Sequence, residues 1–445
     1  MSAKATSESR SPVHVVYGGA DRFNSETPEK FGRIALASME AFLHDFVQLA
    51  RVFELKGSEG LPNWPGAVTE IASASRSEPE KLREENFPAW LAWNVHRKTA
   101  EKLEKEPVED FRIDFEDGYG FRTDEEEDGH AIAASTELAR AFNEGRITAF
   151  SGFRIKSLGK ETHERAVRTL ERFLDNFLDR TSERVPEKFV VTLPKVTTRT
   201  QVKELCERLA AIESERGLAE GSIGIELMIE TPQALIAQDG RIAVRDLVDE
   251  AEGRCTSVHF GAYDYTAALG ISASIQDIRH PACNFARQIM LAALAGTGVR
   301  FVDSVTTVMP VPLHKRDPLT ENQRIENKRT VHSAWLQHFR NITASMADGF
   351  YQSWDLHPNQ LVARYAAVYA FFLNEFDSQA ARLRGYMDKA TKATLTGNVF
   401  DDAASVAGLV NFFERGIACG AYSEDEVAEA TGAGIEDMSR NFAPR

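Results

Sequence analysis

Two carboxylates stand where apolar runs end. Residues 223–229 form a short hydrophobic stretch that stops at Glu230, with Pro232 just beyond, and residues 257–260 lead through Gly261 to Asp264. An acid at the mouth of a buried strand is costly to desolvate unless a positive charge meets it. Two such acids on successive strands can hold one divalent cation between them. Other polar residues take equivalent places: Glu116 and Asp117 after 111–115, Arg154 within 150–155, and Lys195 after 189–194. Four acids beside two cations, with only 11 histidines in the chain, suit a hard ion such as magnesium or manganese better than zinc. Lys195 can bind a carboxylate or form a Schiff base, and the metal-type acids favour the former.

For these residues to meet, eight short strands must run parallel. The candidates are 12–17, 111–115, 150–155, 189–194, 223–229, 257–260, 299–303 and 350–354, most of them followed by helical patterning. That alternation predicts an α/β fold, a (β/α)8 TIM barrel whose polar strand ends converge on one mouth. The barrel is expected over 13–365, after a loose tail over 1–12. The first connection is too long for one βα unit and predicts a helical insertion after strand 1, at about 25–107. In it Phe31, Ile34, Ala35, Met39, Phe42, Phe46 and Leu49 mark one apolar face over 28–56, residues 57–65 read as a loop, and 78–105 read as one helical region. Trp90 and Trp93 read as packing residues. The acidic run 124–128 reads as the solvated first turn of a helix.

Beyond the barrel, 366–445 reads as a C-terminal helical extension. Val406, Leu409, Val410, Phe413 and Ile417 mark one face of it, and Ser423 with Glu426 forms a capping box. The apolar face needs covering, which points either to a homo-oligomer or to packing on the chain's own barrel. His259, inside a strand, reads as a satisfied core histidine, and His357 as a cap on the last strand.

Composition narrows the partners. With 445 residues, 43% hydrophobic and 27% charged, the chain can bury a large core. A net charge of −15 argues against nucleic acid or an anionic membrane. No apolar run approaches the roughly 20 residues of a membrane span. The four cysteines are far apart, which suits reduced thiols and a cytoplasmic protein.

The motifs resemble the citrate lyase beta subunit and HpcH/HpaI aldolase family of the phosphoenolpyruvate/pyruvate barrel superfamily. The matching signatures are Asp114-Phe115-Glu116-Asp117, Phe153-Arg154-Ile155, Leu193-Pro194-Lys195-Val196 and Ile229-Glu230-Thr231. They continue with Phe260-Gly261-Ala262-Tyr263-Asp264 and His357-Pro358-Asn359-Gln360. The resemblance implies that Glu230 and Asp264 bind magnesium, that Arg154 contacts the substrate's oxo or carboxylate oxygen, and that Glu116 and Asp117 border the metal's waters. It implies a small 2-oxo acid or an acyl-coenzyme A thioester as substrate, and a homo-oligomer. Two departures stand out: Lys156-Ser157 follow Ile155, adding a cation, and Tyr17-Gly18-Gly19 replaces the usual first-strand turn.

These parts suit enolate chemistry, with Asp117 as the choice of general base and metal-bound hydroxide or a residue of the helical tail as rivals. The leading expectation is a magnesium-dependent carbon–carbon lyase. A malate-synthase-like condensation of an acyl-coenzyme A, a phosphoenolpyruvate-utilising transfer, and a non-catalytic metabolite-binding barrel are the alternatives.

Overall fold

The computed structural model describes residues 10–388, 394–396, 399–401 and 403–435. Eight parallel strands close into a barrel in chain order: β1 (His14–Gly19), β2 (Asp110–Asp114), β3 (Phe150–Arg154), β4 (Phe189–Leu193), β5 (Gly224–Ile229), β6 (Cys255–Phe260), β7 (Arg300–Val305) and β8 (Gln352–Asp355). β8 pairs with β1 to complete the ring, so no strand edge is left open. Nearly every strand residue is buried, as a sheet covered on both faces requires. Gly152 on β3 allows close approach: a Cβ there would lie 2.1 Å from the Val190 carbonyl oxygen.

Five helices fill the insertion between β1 and β2: α1 (Thr27–Phe42), α2 (Phe46–Val52), α3 (Pro65–Ser77), α4 (Pro79–Glu85) and α5 (Phe87–Lys105). Sequence patterning joins 28–56 and 78–105 into single regions and reads 57–65 as a loop. The chain breaks the first region at Asp45, whose carboxylate accepts the Gln48 N–H at 2.7 Å and starts α2. It breaks the second at Asn86, which caps α5 through the Ala89 N–H at 3.2 Å. Prolines open α3, α4 and α5, where their missing N–H costs nothing. Trp90 and Trp93 are packing residues: the Arg83 guanidinium lies 4.5 Å from the Trp90 ring, and Trp93 meets Phe46 edge-on at 5.4 Å.

The outer ring continues with α6 (Asp124–Asn143), α7 (His163–Thr181), α8 (Arg199–Arg216), α9 (Pro232–Leu235), α10 (Ala243–Glu250), α11 (Ala262–Ala268), α12 (Pro281–Leu294), α13 (Glu321–Ala347) and α14 (Gln360–Asp388). The last of these runs without interruption across residue 365, where the sequence placed the end of the barrel. Then come α15 (Ala403–Ala418) and α16 (Glu424–Thr431), the latter opened by the Ser423–Glu426 capping box. The apolar face of α15 is covered within the chain: Phe413 meets Phe376 of α14 at 5.7 Å, and Phe412 meets Phe372 at 5.2 Å. That face therefore gives no reason for self-association. All four cysteines are unpaired, and among the described residues no helix is long and apolar enough to cross a membrane. Of the tail expected over 1–12, residues 1–9 lie outside the described residues, and Arg10 is held by Glu106 at 2.5 Å.

The insertion is fastened to the barrel by one buried acid. Glu109, just before β2, accepts the Val13 N–H at 2.7 Å and lies 2.5 Å from Lys102 of α5. Its own N–H donates to His14 Nε2 at 3.0 Å. Burial alone would raise this carboxyl, but Lys102 and the Val13 N–H outweigh it and hold it at about 2. Because the folded value lies below the ordinary one, the stabilisation is complete above the usual glutamate range. It fades as pH falls toward about 2. Glu109→Gln should therefore cost about 3 kcal/mol at pH 7 and less than half of that at pH 3. Denaturant melts of both proteins at the two pH values measure this; an unchanged gap would refute it.

Candidate active site

The mouth is organised from β2 and β3 outward. Asp114 and Arg154 are direct partners in the strand register, and both are buried. Arg154 donates through Nε to Asp114 Oδ1 and through one terminal nitrogen to Oδ2, each at 2.6 Å. The same carboxylate accepts the N–H groups of Glu116 at 3.0 Å and Gly118 at 2.7 Å. It thus fixes both the arginine and the turn that carries Glu116 and Asp117. The remaining terminal nitrogen of Arg154 lies 3.2 Å from Glu116 Oε2. Beneath it the Tyr17 ring, from β1, sits 4.8 Å from the guanidinium carbon.

All six residues singled out by sequence are brought into this one network. Lys195, just past β4, takes a left-handed backbone conformation at φ 50°. Its N–H donates to Glu230 Oε1 at 2.7 Å. Its ammonium contacts Glu116 directly and lies 3.1 Å from Asp117 and 3.7 Å from Asp264. Glu230, at the end of β5, is buried, while the Asp264 side chain on the first turn of α11 is 44% exposed. Gly261 leaves the space for Glu230, since a Cβ there would stand 2.6 Å from Oε2.

The charges at the mouth do not balance around Glu230. Burial, with Asp264 and Glu116 adding to it, pushes this carboxyl up to about 8 against the opposing pull of Arg154 and Lys195. Glu116 is also raised, first by burial and then by Asp117. For Asp117, 59% exposed, Arg154 and Lys195 outweigh burial and hold it below its usual range. The Lys195 ammonium is held charged, with Glu116 outweighing its burial. Among the described residues no three or more His, Cys, Asp or Glu side chains form a metal-sized cluster.

Below the mouth the lumen is polar again. Arg112 donates to both oxygens of Glu226, at 2.8 and 2.5 Å, and also contacts Asp110. Glu226 further accepts from Thr192 at 2.6 Å and Ser257 at 2.8 Å. His259 lies 3.1 Å from Glu226 through Nε2 and 3.0 Å from the Tyr17 hydroxyl through Nδ1, so it is a satisfied core residue. Sequence reasoning quoted Asp114 and Tyr17 within motifs but gave them no role, and it passed over the Arg112–Glu226 pair. The available signal was period-two alternation: Asp110, Arg112 and Asp114 all fall on the lumen face of β2.

One expectation holds in part and one changes. The acidic run 124–128 opens α6 with Asp124, Glu125 and Glu126 exposed, as expected, but Glu127 is buried at 3.0 Å from Lys156, while Asp124 and Asp128 pair with Arg165 and Arg168 of α7. Packing of α6 on α7 encloses Glu127. For the same reason Lys156 adds no free cation to the mouth. His357 Nδ1 accepts the Asn359 N–H at 3.1 Å, a local turn cap after β8.

Comparison with solved structures agrees on the fold. A citrate lyase from Burkholderia xenovorans LB400 aligns at 21% identity over 75% of this chain and 91% of that one, with a TM-score of 0.53. Protein CitE from Mycobacterium tuberculosis, in complex with magnesium, acetoacetate and coenzyme A, aligns at 17% identity over 72% and 94%, with a TM-score of 0.45. A Haloferax volcanii malate synthase magnesium/glyoxylate complex aligns at 17% identity over 74% and 87%, at 0.43. Only the first of these three scores supports a shared fold, and at that identity it speaks to the fold alone. No curated protein matches the sequence. One family matches almost from end to end, over residues 4–445, and the chain belongs to it: the domain of unknown function DUF6986.

Proposed function

We propose that this protein is a metal-dependent carbon–carbon lyase, aldolase-like, acting on a small 2-oxo acid or its acyl adduct such as a coenzyme A thioester. The observation that carries the reading is Glu230, a buried carboxylate short of positive charge at a barrel mouth and raised to about 8 beside Asp264. A divalent ion fits that deficit. Magnesium, or manganese in its place, commonly takes one or two carboxylates and leaves its other positions to water and substrate, which accords with a two-acid donor set. Glu230 Oε1 is engaged by the Lys195 N–H, so Oε2 and the Asp264 carboxylate would hold the ion. When bound, the ion supplies Lewis-acid charge that favours the enolate of a 2-oxo acid.

The chain's own residues do the rest. Asp114 immobilises Arg154 through two of its nitrogens, leaving the terminal nitrogen now 3.2 Å from Glu116 to donate to a substrate oxygen. Lys195 offers its ammonium to a substrate carboxylate, with Glu116 spacing the two cations. Asp117, the exposed acid that Arg154 and Lys195 keep ionised, is the general base that takes the proton when the carbon–carbon bond breaks. The same groups serve cleavage and its reverse.

Retro-aldol and enolisation assays over a panel of 2-oxo acids and 3-hydroxyacyl thioesters, with magnesium present, test the reading. Glu230→Gln and Asp264→Asn should each lower kcat/KM by about 10³-fold or more, and chelator should abolish turnover. Turnover indifferent to both substitutions and to chelator would refute it.

Metal binding should carry the Glu230 proton with it. Below pH 8 the folded, metal-free protein holds that carboxyl protonated, so an entering cation must expel the proton. Affinity for magnesium or manganese should then rise with pH up to about 8 and level off above it. Calorimetry in buffers of different ionisation heat at pH 7 should read about one proton released per ion, and fewer in Glu230→Gln.

A further inference from the structure

We propose that the junction between the helical insertion and α13 is a binding site for a small organic oxyanion, a phosphate or carboxylate head on an apolar body. A cavity of about 550 Å³ lies there, within the usual range for small-molecule sites. The insertion supplies His44 and Arg51, and α13 supplies Lys328 and His332. Val52 and Leu336 give the cavity an apolar side. The site is far from the carboxylates at the barrel mouth in its chemistry, and the inference stands apart from the proposed lyase activity.

Charge carries the inference. The chain as a whole has a net charge of −15, yet this cavity concentrates cations. Among the described residues neither Arg51 nor Lys328 is paired with a carboxylate. Arg51 donates to two neutral acceptors, the carbonyl oxygens of Leu61 at 2.6 Å and Pro62 at 3.4 Å. Those contacts orient the guanidinium without neutralising it. Asp45 is the one acid in the lining, and its carboxylate already caps α2. His332 donates from Nε2 to the Phe42 carbonyl oxygen at 2.8 Å. Burial lowers its pKa, and Lys328 pushes the same way against that carbonyl, so the fixed charges of the cavity are those of Arg51 and Lys328 against Asp45. An oxyanion would supply the missing charge and accept from Arg51 and Lys328 together.

The placement also gives a readout. The His332 ring stacks on Trp335 at 6.1 Å, and the Trp335 indole N–H donates to the Asn359 carbonyl oxygen at 2.6 Å, in the turn after β8. The tryptophan thus lies one residue layer from the cavity.

The full chain is titrated with phenyl phosphate, benzoate and inorganic phosphate, followed by calorimetry and tryptophan fluorescence. Phenyl phosphate or benzoate should bind saturably, about tenfold or more tighter than inorganic phosphate, and whichever binds identifies the head group. Arg51→Gln and Lys328→Gln should each weaken that binding by about tenfold or more, and Lys328→Glu should abolish it. Lys195→Gln, at the barrel mouth, should leave it unchanged. Circular dichroism confirms the fold of each variant, and Lys328 is the safer of the two sites because it has no fixed partner to lose. The proposal is overturned if neither organic anion binds the native chain saturably, if binding survives all three junction substitutions, or if Lys195→Gln removes it.

Discussion

The mouth of this barrel depends on the pairing of Asp114 with Arg154. Both charges are out of water, and a buried ion has a large solvation debt unless its partner is close and well directed. Here the strand register puts them side by side, and the guanidinium fork meets the carboxylate through two bonds of 2.6 Å. The carboxylate then has capacity left for two backbone N–H groups, Glu116 and Gly118. One acid therefore fixes an arginine and a turn at once. Removing it would leave Arg154 with Glu116 as its remaining carboxylate and free the segment that carries Glu116 and Asp117.

A second, deeper pair plays the equivalent part for the lumen. Arg112 and Glu226 span the interior between β2 and β5, with Thr192, Ser257 and His259 satisfying the remaining oxygen capacity. Between the two charged levels lies a small apolar belt that includes Val15, Tyr17, Met228 and Trp354. Tyr17 belongs to both levels. Its ring supports Arg154 above and its hydroxyl meets His259 below. The interior is thus a stack of matched charges separated by one layer of packing, which holds the mouth at a fixed geometry.

The insertion and the C-terminal helices extend the barrel's outer layer. α5 and α14 pack together, α15 and the following Tyr422 bury their rings against α14, and α16 also packs on α14. Glu109 ties α5, β1 and the approach to β2 into one joint. The departure from the usual arginine strand is absorbed in the same local way, because Lys156 turns outward to Glu127 and the α6–α7 charges.

Much was legible in the sequence because its signals are local. Eight apolar runs ended by polar residues imply parallel strands, and Glu230, Asp264, Arg154, Lys195, Glu116 and Asp117 each stand at or just beyond such an end. A closed parallel barrel puts all those ends on one side, so the convergence followed from topology alone. Proline and Asn86 set helix starts that periodicity blurred, since apolar spacing can continue across a cap that breaks the backbone ladder. What tertiary structure alone decided was which charge answers which. Strand register selected Asp114 for Arg154, helix packing buried Glu127 against Lys156, and intrachain contacts covered the face of α15. Those choices belong to residues far apart in the chain, where distance and desolvation, rather than spacing along the backbone, fix the partner.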